Sequence, residues 1–243
     1  MAGEESIKEK QKEGFSQSLP VSYLLDEDDY DYQTLTRALM TLVYEAHELE
    51  IDTKADPVEL VNRLEELLPE LIGPVLRSDH GYFESLSGRL GFSSLALSMV
   101  GGALLQPSMI YMASNSNREY LDAWDIKICP ICGRMPSVVI KTESGVWRFK
   151  CSYCLTEYRM DIFRCPHCGS EGAESKEFLL VGDAKAYEIA SCLKCRHYFK
   201  IINTNRLDEQ IPDGLEDVYT EQLDEVAHQR GLIRLDEASQ NGQ

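Results

Sequence analysis

All eight cysteines of this 243-residue chain fall into four Cys-x-x-Cys pairs: Cys129/Cys132, Cys151/Cys154, Cys165/Cys168 and Cys192/Cys195. Two cysteines flanking a tight turn present both sulfurs to one ion, and two such knuckles close a tetrahedral four-sulfur shell. Four knuckles with no cysteine left over predict two four-cysteine metal sites. Four disulfides would suit a small secreted domain. This chain is long and acidic, and its first ten residues lack the apolar stretch of a signal peptide. A thioredoxin-like redox motif needs one pair after a strand of a βαβ unit, not four in series. Iron–sulfur clusters usually draw three cysteines from one short run, and these pairs do not supply that.

The pairs are written as a repeat. Cys129-Pro-Ile-Cys-Gly133 returns as Cys165-Pro-His-Cys-Gly169, with a glycine where the chain must turn with positive φ. Each is followed by a hairpin signal: 136–141 and 146–150 in the first unit, 176–181 and 186–190 in the second. A second knuckle and a third β-rich run, 156–162 or 197–202, complete each unit. The pattern of knuckle, hairpin, knuckle and strand is that of a zinc ribbon, or rubredoxin-like module, written twice. It predicts sequential ligation, with Cys129, Cys132, Cys151 and Cys154 on one ion and Cys165, Cys168, Cys192 and Cys195 on the other. Zinc and iron both accept tetrahedral thiolate, so the ligands leave the metal open between them.

Upstream the period is helical. Leu35, Leu39, Leu42, Val43, Ala46 and Leu49 form one stripe. A second helix opens at Asp56-Pro-Val-Glu59 and should stop before Pro69. Short helical pieces are expected over 70–77 and 82–90. An apolar central helix is expected over 92–105, with Pro107 opening a further one that runs to Trp124. The acidic run Asp26-Glu-Asp-Asp29 reads as the entry of the first helix. Past the cysteines, 213–230 reads as one last helix with Leu215, Val218, Gln222 and Val226 on its packed face. The fold class is therefore α+β. It comprises a flexible N-terminus (1–20), an α-helical domain (21–125), two metal modules (126–163 and 164–206), and a C-terminal helix and tail (207–243) ending in a loose 238–243. An apolar content of 43% allows a real core. No uninterrupted apolar run approaches the roughly 18 residues of a membrane span, and the best stretch, 95–105, is short.

Charge is divided between the halves. The chain carries 24 basic and 41 acidic residues, but 126–206 holds 13 basic against 8 acidic. Eight thiolates and two divalent ions would bring that segment near neutrality. Lys141, Arg148, Lys150, Arg159 and Arg164 accordingly read as solvated strand faces rather than a nucleic-acid footprint, and the acidic remainder would repel phosphate. No Ser-His-Asp arrangement, phosphate loop or His-Glu-x-x-His motif is present, so no catalytic residue is assigned. His167 and His197 lie beside the cysteines. Each could replace a thiolate, but every knuckle already has two, so they read as surface residues or supports of the sites.

The motifs resemble those of the formate dehydrogenase accessory protein FdhE family. The likeness rests on Cys129-Pro-Ile-Cys-Gly-Arg-Met-Pro136, Cys151-Ser-Tyr-Cys-Leu-Thr-Glu-Tyr158, Arg164-Cys-Pro-His-Cys168 and Ala190-Ser-Cys-Leu-Lys-Cys-Arg-His-Tyr-Phe-Lys200. It extends to the terminal helix over 213–231, with a weaker echo in Leu104-Leu-Gln-Pro107. Gly214 stands where that family more often has an acid, and Tyr158 where it commonly has Trp. The resemblance implies a cytoplasmic, non-enzymatic maturation factor with rubredoxin-like sites that binds a formate dehydrogenase catalytic subunit. Two further readings stay open: a rubredoxin-like electron-transfer or redox-sensing protein, and, less in keeping with the acidity, a nucleic-acid-binding zinc ribbon.

Overall fold

A computed structural model describes residues 4–25, 29–48, 57–77, 79–142, 145–182 and 185–235. Among these, six helices precede the cysteine region: α1 (Glu4–Gln17), α2 (Tyr32–Glu48), α3 (Pro57–Arg77), α4 (His80–Leu90), α5 (Ser94–Ser114) and α6 (Arg118–Ala123). Strands β1 (Val138–Lys141), β2 (Trp147–Lys150), β3 (Glu157–Tyr158), β4 (Lys176–Val181), β5 (Tyr187–Cys192) and β6 (His197–Asn203) follow. The short helices α7 (Glu216–Tyr219) and α8 (Glu221–Gln229) and the strand β7 (Ile233–Arg234) close the chain. The α+β class and the two hairpins are as the sequence predicts.

The strands do not form two separate ribbons. They make one sheet in the order β3-β2-β1-β6-β5-β4, with β7 also on β6. The third strand of the second unit is long enough to be shared. β5 lies antiparallel on one side of it, and β1 of the first unit runs parallel on the other, with Val139 opposite Ile201. β7 joins β6 at its start, His197 facing Ile233. The third strand of the first unit shrinks to the two residues of β3, paired with β2.

The helical half departs from local expectation at its prolines. α3 runs through Pro69 and Pro74, and α5 through Pro107. A proline inside a helix loses a hydrogen bond and costs about 3 kcal/mol. Tertiary burial outweighs it here: Leu64, Leu68, Leu71, Ile72, Val75 and Leu76 of α3 are all buried. α5 buries Leu97, Leu104, Leu105, Met109 and Met112 and packs against α2, α3 and α4. Gly101 allows the approach of α3, since a Cβ there would lie 2.7 Å from Val75 Cγ2. Continuing through Pro107 makes α5 the one helix among the described residues that is long and apolar enough to cross a membrane, yet it is the central packing element of the helical half.

The N-terminal segment expected to be loose holds α1. This helix is polar, and tertiary contacts fix it. Gln11 is buried and donates to Ser116 Oγ at 2.6 Å, Lys10 pairs with Asp29 at 2.5 Å, and Phe15 stacks on Tyr120. Asp31 caps α2 by accepting from the Gln33 and Thr34 N–H groups. Of the expected α2 stripe, Leu35, Leu39 and Val43 are buried and Leu42 is half-buried. The side chain of Ala46, Leu49, the Asp56 cap, the acids at 26–28, the turn residues at 143–144 and 183–184, and the 238–243 tail lie outside the described residues.

At the C-terminus the single helix expected over 213–230 is broken at Thr220, whose buried hydroxyl donates to the Glu216 carbonyl at 2.7 Å. The packed face also differs. Leu223 and Ala227 are buried, whereas Leu215 and Val218 are exposed. Turning α8 this way sets its apolar side against Ile189 and Tyr198 of the sheet.

Of the basic residues expected on solvated strand faces, Arg148 and Lys150 are bonded to acids instead, whereas Arg159 and Arg164 are exposed and Lys141 lies over the Trp147 ring. Lys150 is buried between Asp213 and Glu216, 2.5 Å from each, and Arg148 grips Asp122 of α6. Lys200, wholly buried in the central strand, meets Asp217 at 2.5 Å and Asp224 at 2.8 Å, and Arg234 joins the same two acids. Burial opposes ionisation of Asp217, but the hydrogen bond and charge of Lys200, with Arg234, hold its pKa below the ordinary 3.8. A depressed carboxylate contributes stability above its unfolded value and loses it as pH falls through the lower folded value. The stability gap between wild type and Asp217→Asn should therefore be level from neutrality down to about pH 5 and narrow below pH 3.8. Urea unfolding of both proteins at a series of pH values reads this difference, in which acid loss of metal is common to both. A gap unchanged across the series would contradict it.

Candidate metal centres

The four knuckles share one backbone turn. The N–H four residues after each leading cysteine bonds back to that cysteine's carbonyl: Gly133 to Cys129 at 3.0 Å, Leu155 to Cys151 at 2.9 Å, Gly169 to Cys165 at 2.9 Å and Arg196 to Cys192 at 2.8 Å. All four turning residues have positive φ, between 61° and 75°. Glycine takes this conformation freely, but Leu155 and Arg196 take it against side-chain sterics. Arg196 is held by bonds from its guanidinium to the carbonyls of Arg230 and Gly231.

These turns gather the sulfurs as sequential ligation predicts. Cys129, Cys132, Cys151 and Cys154 form one group, and Cys165, Cys168, Cys192 and Cys195 the other, each with all sulfurs within 4.8 Å of one another. Cys129 and Cys154, and likewise Cys132 and Cys151, are 3.4 Å apart, while Cys165–Cys195 and Cys168–Cys192 are at 3.5 and 3.7 Å. A metal–sulfur bond of about 2.3 Å in a tetrahedron implies sulfur edges of about 3.8 Å. These distances are far longer than a disulfide bond, and the cysteines are free.

Hydroxyl groups stand beside three of the sulfurs. Thr156 Oγ1 lies 2.9 Å from Cys154 Sγ, and Ser170 Oγ lies 3.3 Å from Cys168 Sγ and 3.1 Å from Cys192 Sγ. A hydroxyl donates to a sulfur that has lost its proton. Burial pushes the Cys129 and Cys132 thiols well up, while hydrogen bonds from Cys129, Cys132 and Cys154 hold Cys151 well down. At the other centre burial is outweighed by the Ser170 hydroxyl and the backbone N–H groups of Cys195 and Lys194, leaving Cys192 at about 6. Four sulfurs packed this closely cannot all ionise unless a cation takes the place of their protons. Donor set, spacing and hydroxyl donors all fit a thiophilic ion such as zinc or iron in each group.

The two centres differ in placement. The first is wholly buried and belongs to the same apolar core as α2–α5. Its second knuckle docks on α5: Tyr153 Oη donates to the Gly102 carbonyl at 2.7 Å, and Gln106 Nε2 donates to the Tyr153 carbonyl at 3.0 Å. Arg134 lies over the Tyr153 ring. Its first knuckle is pinned by the 3-10 turn Val21–Leu24, whose Val21 and Ser22 N–H groups donate to the carbonyls of Pro130 and Ile131 at 2.9 and 2.8 Å. Trp124 Nε1 donates to Ile128 O at 2.7 Å. The second centre sits at the rim, with Cys168 and Cys195 partly exposed and a cleft of about 420 Å³ beside its first knuckle. There His167 and His197 stack with centroids 3.6 Å apart. Burial, then the neighbouring His167, pushes the His197 pKa below its ordinary value.

Sequence reasoning missed Tyr153, Gln106, Arg134 and the Val21–Leu24 turn as supports of the first centre. Thr156 and Ser170 had a signal, since each stands two residues past the second cysteine of its knuckle.

Cys129→Ser and Cys192→Ser should each retain about one of two metal equivalents, with different structural cost. Cys129→Ser should also lower the melting of the helical half, whereas Cys192→Ser should leave it near wild type. Metal analysis with thermal melting followed by far-UV circular dichroism checks this. A variant that keeps both ions would contradict the ligand assignment, and loss of both ions from either single change would point to a shared site.

No family model matches this chain. It is 27% identical over 215 residues to an FdhE homolog from Aquifex aeolicus (strain VF5), which covers 86% of this chain and 70% of that protein. It is 24% identical over 213 residues to protein FdhE from Escherichia coli O127:H6 (strain E2348/69 / EPEC), covering 85% of this chain and 64% of that one. Its fold matches the crystal structure of the FdhE protein from Pseudomonas aeruginosa with a TM-score of 0.56 and 19% identity, over 94% of this chain and 77% of the other. The resemblance read from the cysteine modules thus extends through most of the chain, and the protein is similar to FdhE proteins in sequence and in fold.

Proposed function

We propose that this protein is a non-enzymatic accessory factor for formate dehydrogenase maturation, and that it binds the immature catalytic subunit in the cytoplasm. The observation that carries this is the similarity to FdhE proteins over 86% of the chain, helical half included. The eight cysteines would hold two ions whose part is to fix the knuckles. The chain's own residues do the rest: Tyr153 and Gln106 clamp the first centre to α5, and Lys150 and Lys200 clamp the sheet to the closing helices.

The surface for the subunit is the groove between the helical half and the metal modules. Two clefts, of about 510 and 420 Å³, meet there and share Asp125 and Met160. Trp147 on one side and His167 on the other mark its ends. Its walls mix apolar and charged side chains, Trp147 and Met160 with Asp125, Lys127 and Arg159, which suits contact with a polypeptide. The engagement of Arg148, Lys150 and Arg164 with acids of this chain disfavours a nucleic-acid partner. One observation favours electron transfer or redox sensing as a second reading: the partial exposure of Cys168 and Cys195, which an iron-loaded second centre would need for outer-sphere exchange.

Deleting the gene in its host should abolish or sharply lower formate-dependent dye reduction by at least one formate dehydrogenase. The wild-type gene should restore it, and Met160→Glu should fail to restore it while keeping two metal equivalents. Normal activity and normal levels of every formate dehydrogenase in the deletion strain would overturn the accessory role. A reversible Fe(III)/Fe(II) spectrum of the anaerobically purified protein would then favour the redox reading.

A further inference from the structure

We propose that His167, His197 and Cys195 form a third cation position, beside the second centre and sharing the Cys195 thiolate with it. The inference rests on the reading of Cys165, Cys168, Cys192 and Cys195 as a metal shell. One ring nitrogen from each histidine and the Cys195 sulfur lie within 4.8 Å of one another. His197 Nδ1 is 3.0 Å from the Cys195 carbonyl oxygen. A carbonyl only accepts, so Nδ1 carries the proton and Nε2 presents its lone pair. An imidazole whose far nitrogen donates to a carbonyl is the arrangement that fixes metal-bound histidines. His197 is buried and held by that bond, whereas His167 is exposed and stacks on it. The rings are nearly parallel, 13° apart, and aim their lone pairs alongside rather than at one point, so joint ligation requires the exposed His167 ring to rotate out of the stack. A thiolate bound to one ion keeps lone pairs for a second. Two imidazoles and a thiolate select borderline ions such as zinc, cobalt or copper over calcium or magnesium, which require oxygen donors.

The position is distinct from the four-cysteine shell, so it should fill last and most weakly. The experiment uses the full chain holding two zinc ions, titrated with Co(II), which does not displace zinc from thiolate sites because it binds them less tightly. One equivalent of Co(II) should enter, with tetrahedral d–d absorption and a sulfur-to-cobalt charge-transfer band. His167→Ala should weaken that uptake at least roughly tenfold while both zinc ions stay. His197→Gln should do the same. No cobalt uptake by the two-zinc protein would overturn the proposal and indicate a histidine pair that only packs or donates to sulfur. Uptake equal in the wild type and both variants would overturn it as well. Loss of a zinc ion from His167→Ala would make that histidine part of the four-cysteine site and refute a separate position. A starting protein unable to hold two zinc ions would overturn the reading of the cysteines as two metal shells, and this proposal with it.

Discussion

Four thiolates around a divalent ion would leave a formal double negative charge, and burying four sulfurs placed to carry it is the constraint on which the rest of this structure depends. The first centre lies fully inside the apolar core, so its sulfurs must find donors there. The Thr156 hydroxyl reaches one sulfur, the Cys154 backbone N–H bonds the sulfur of Cys151, and the Arg134 guanidinium lies on Tyr153 in the wall of the site. Tyr153 then bonds α5, and the first knuckle bonds the Val21–Leu24 turn. The helical half and the sheet therefore meet through the metal knuckles and not merely beside them.

The second consequence is electrostatic. Segment 126–206 is basic by side chain and the rest of the chain strongly acidic, and much of that opposition closes within the molecule. Lys200 in the central strand and Lys150 in β2 both reach acids of α7, α8 or the segment before them. Buried pairs of this kind add little net stability over an apolar substitute but fix register, since removing one partner strands the other. They lock the closing helices onto a sheet that β6 has already assembled from both modules.

The cysteine spacing made the two four-cysteine clusters legible, because a knuckle is a local device whose sulfurs, turn and flanking strands lie within a few residues. The hairpins were legible for the same reason. The failures share a different cause. Pro69, Pro74 and Pro107 carry a local cost that only tertiary burial offsets, and α1 is polar but anchored by Gln11, Lys10 and Phe15 to distant residues. The pairing of β1 with β6 joins positions some sixty residues apart, as Val138 with Lys200. Nothing in either repeat announces that the third strand of one unit will be shared. The asymmetry of the centres was equally hidden: the two modules read alike, and burial of the first follows from Tyr153 and Gln106, neither of which carries a metal signature.

The central claim is that the first centre organises both halves of the molecule while the second supports only its own module. Amide hydrogen exchange, read by mass spectrometry as a chelator withdraws the metals stepwise, tests it directly. The second centre is more exposed and should empty first, with deprotection confined to its knuckles and to β4 and β5. Withdrawal from the first should deprotect α5 and the Val21–Leu24 turn together with β1 and β2. Unchanged protection of α5 and of that turn after complete loss of metal would contradict the account.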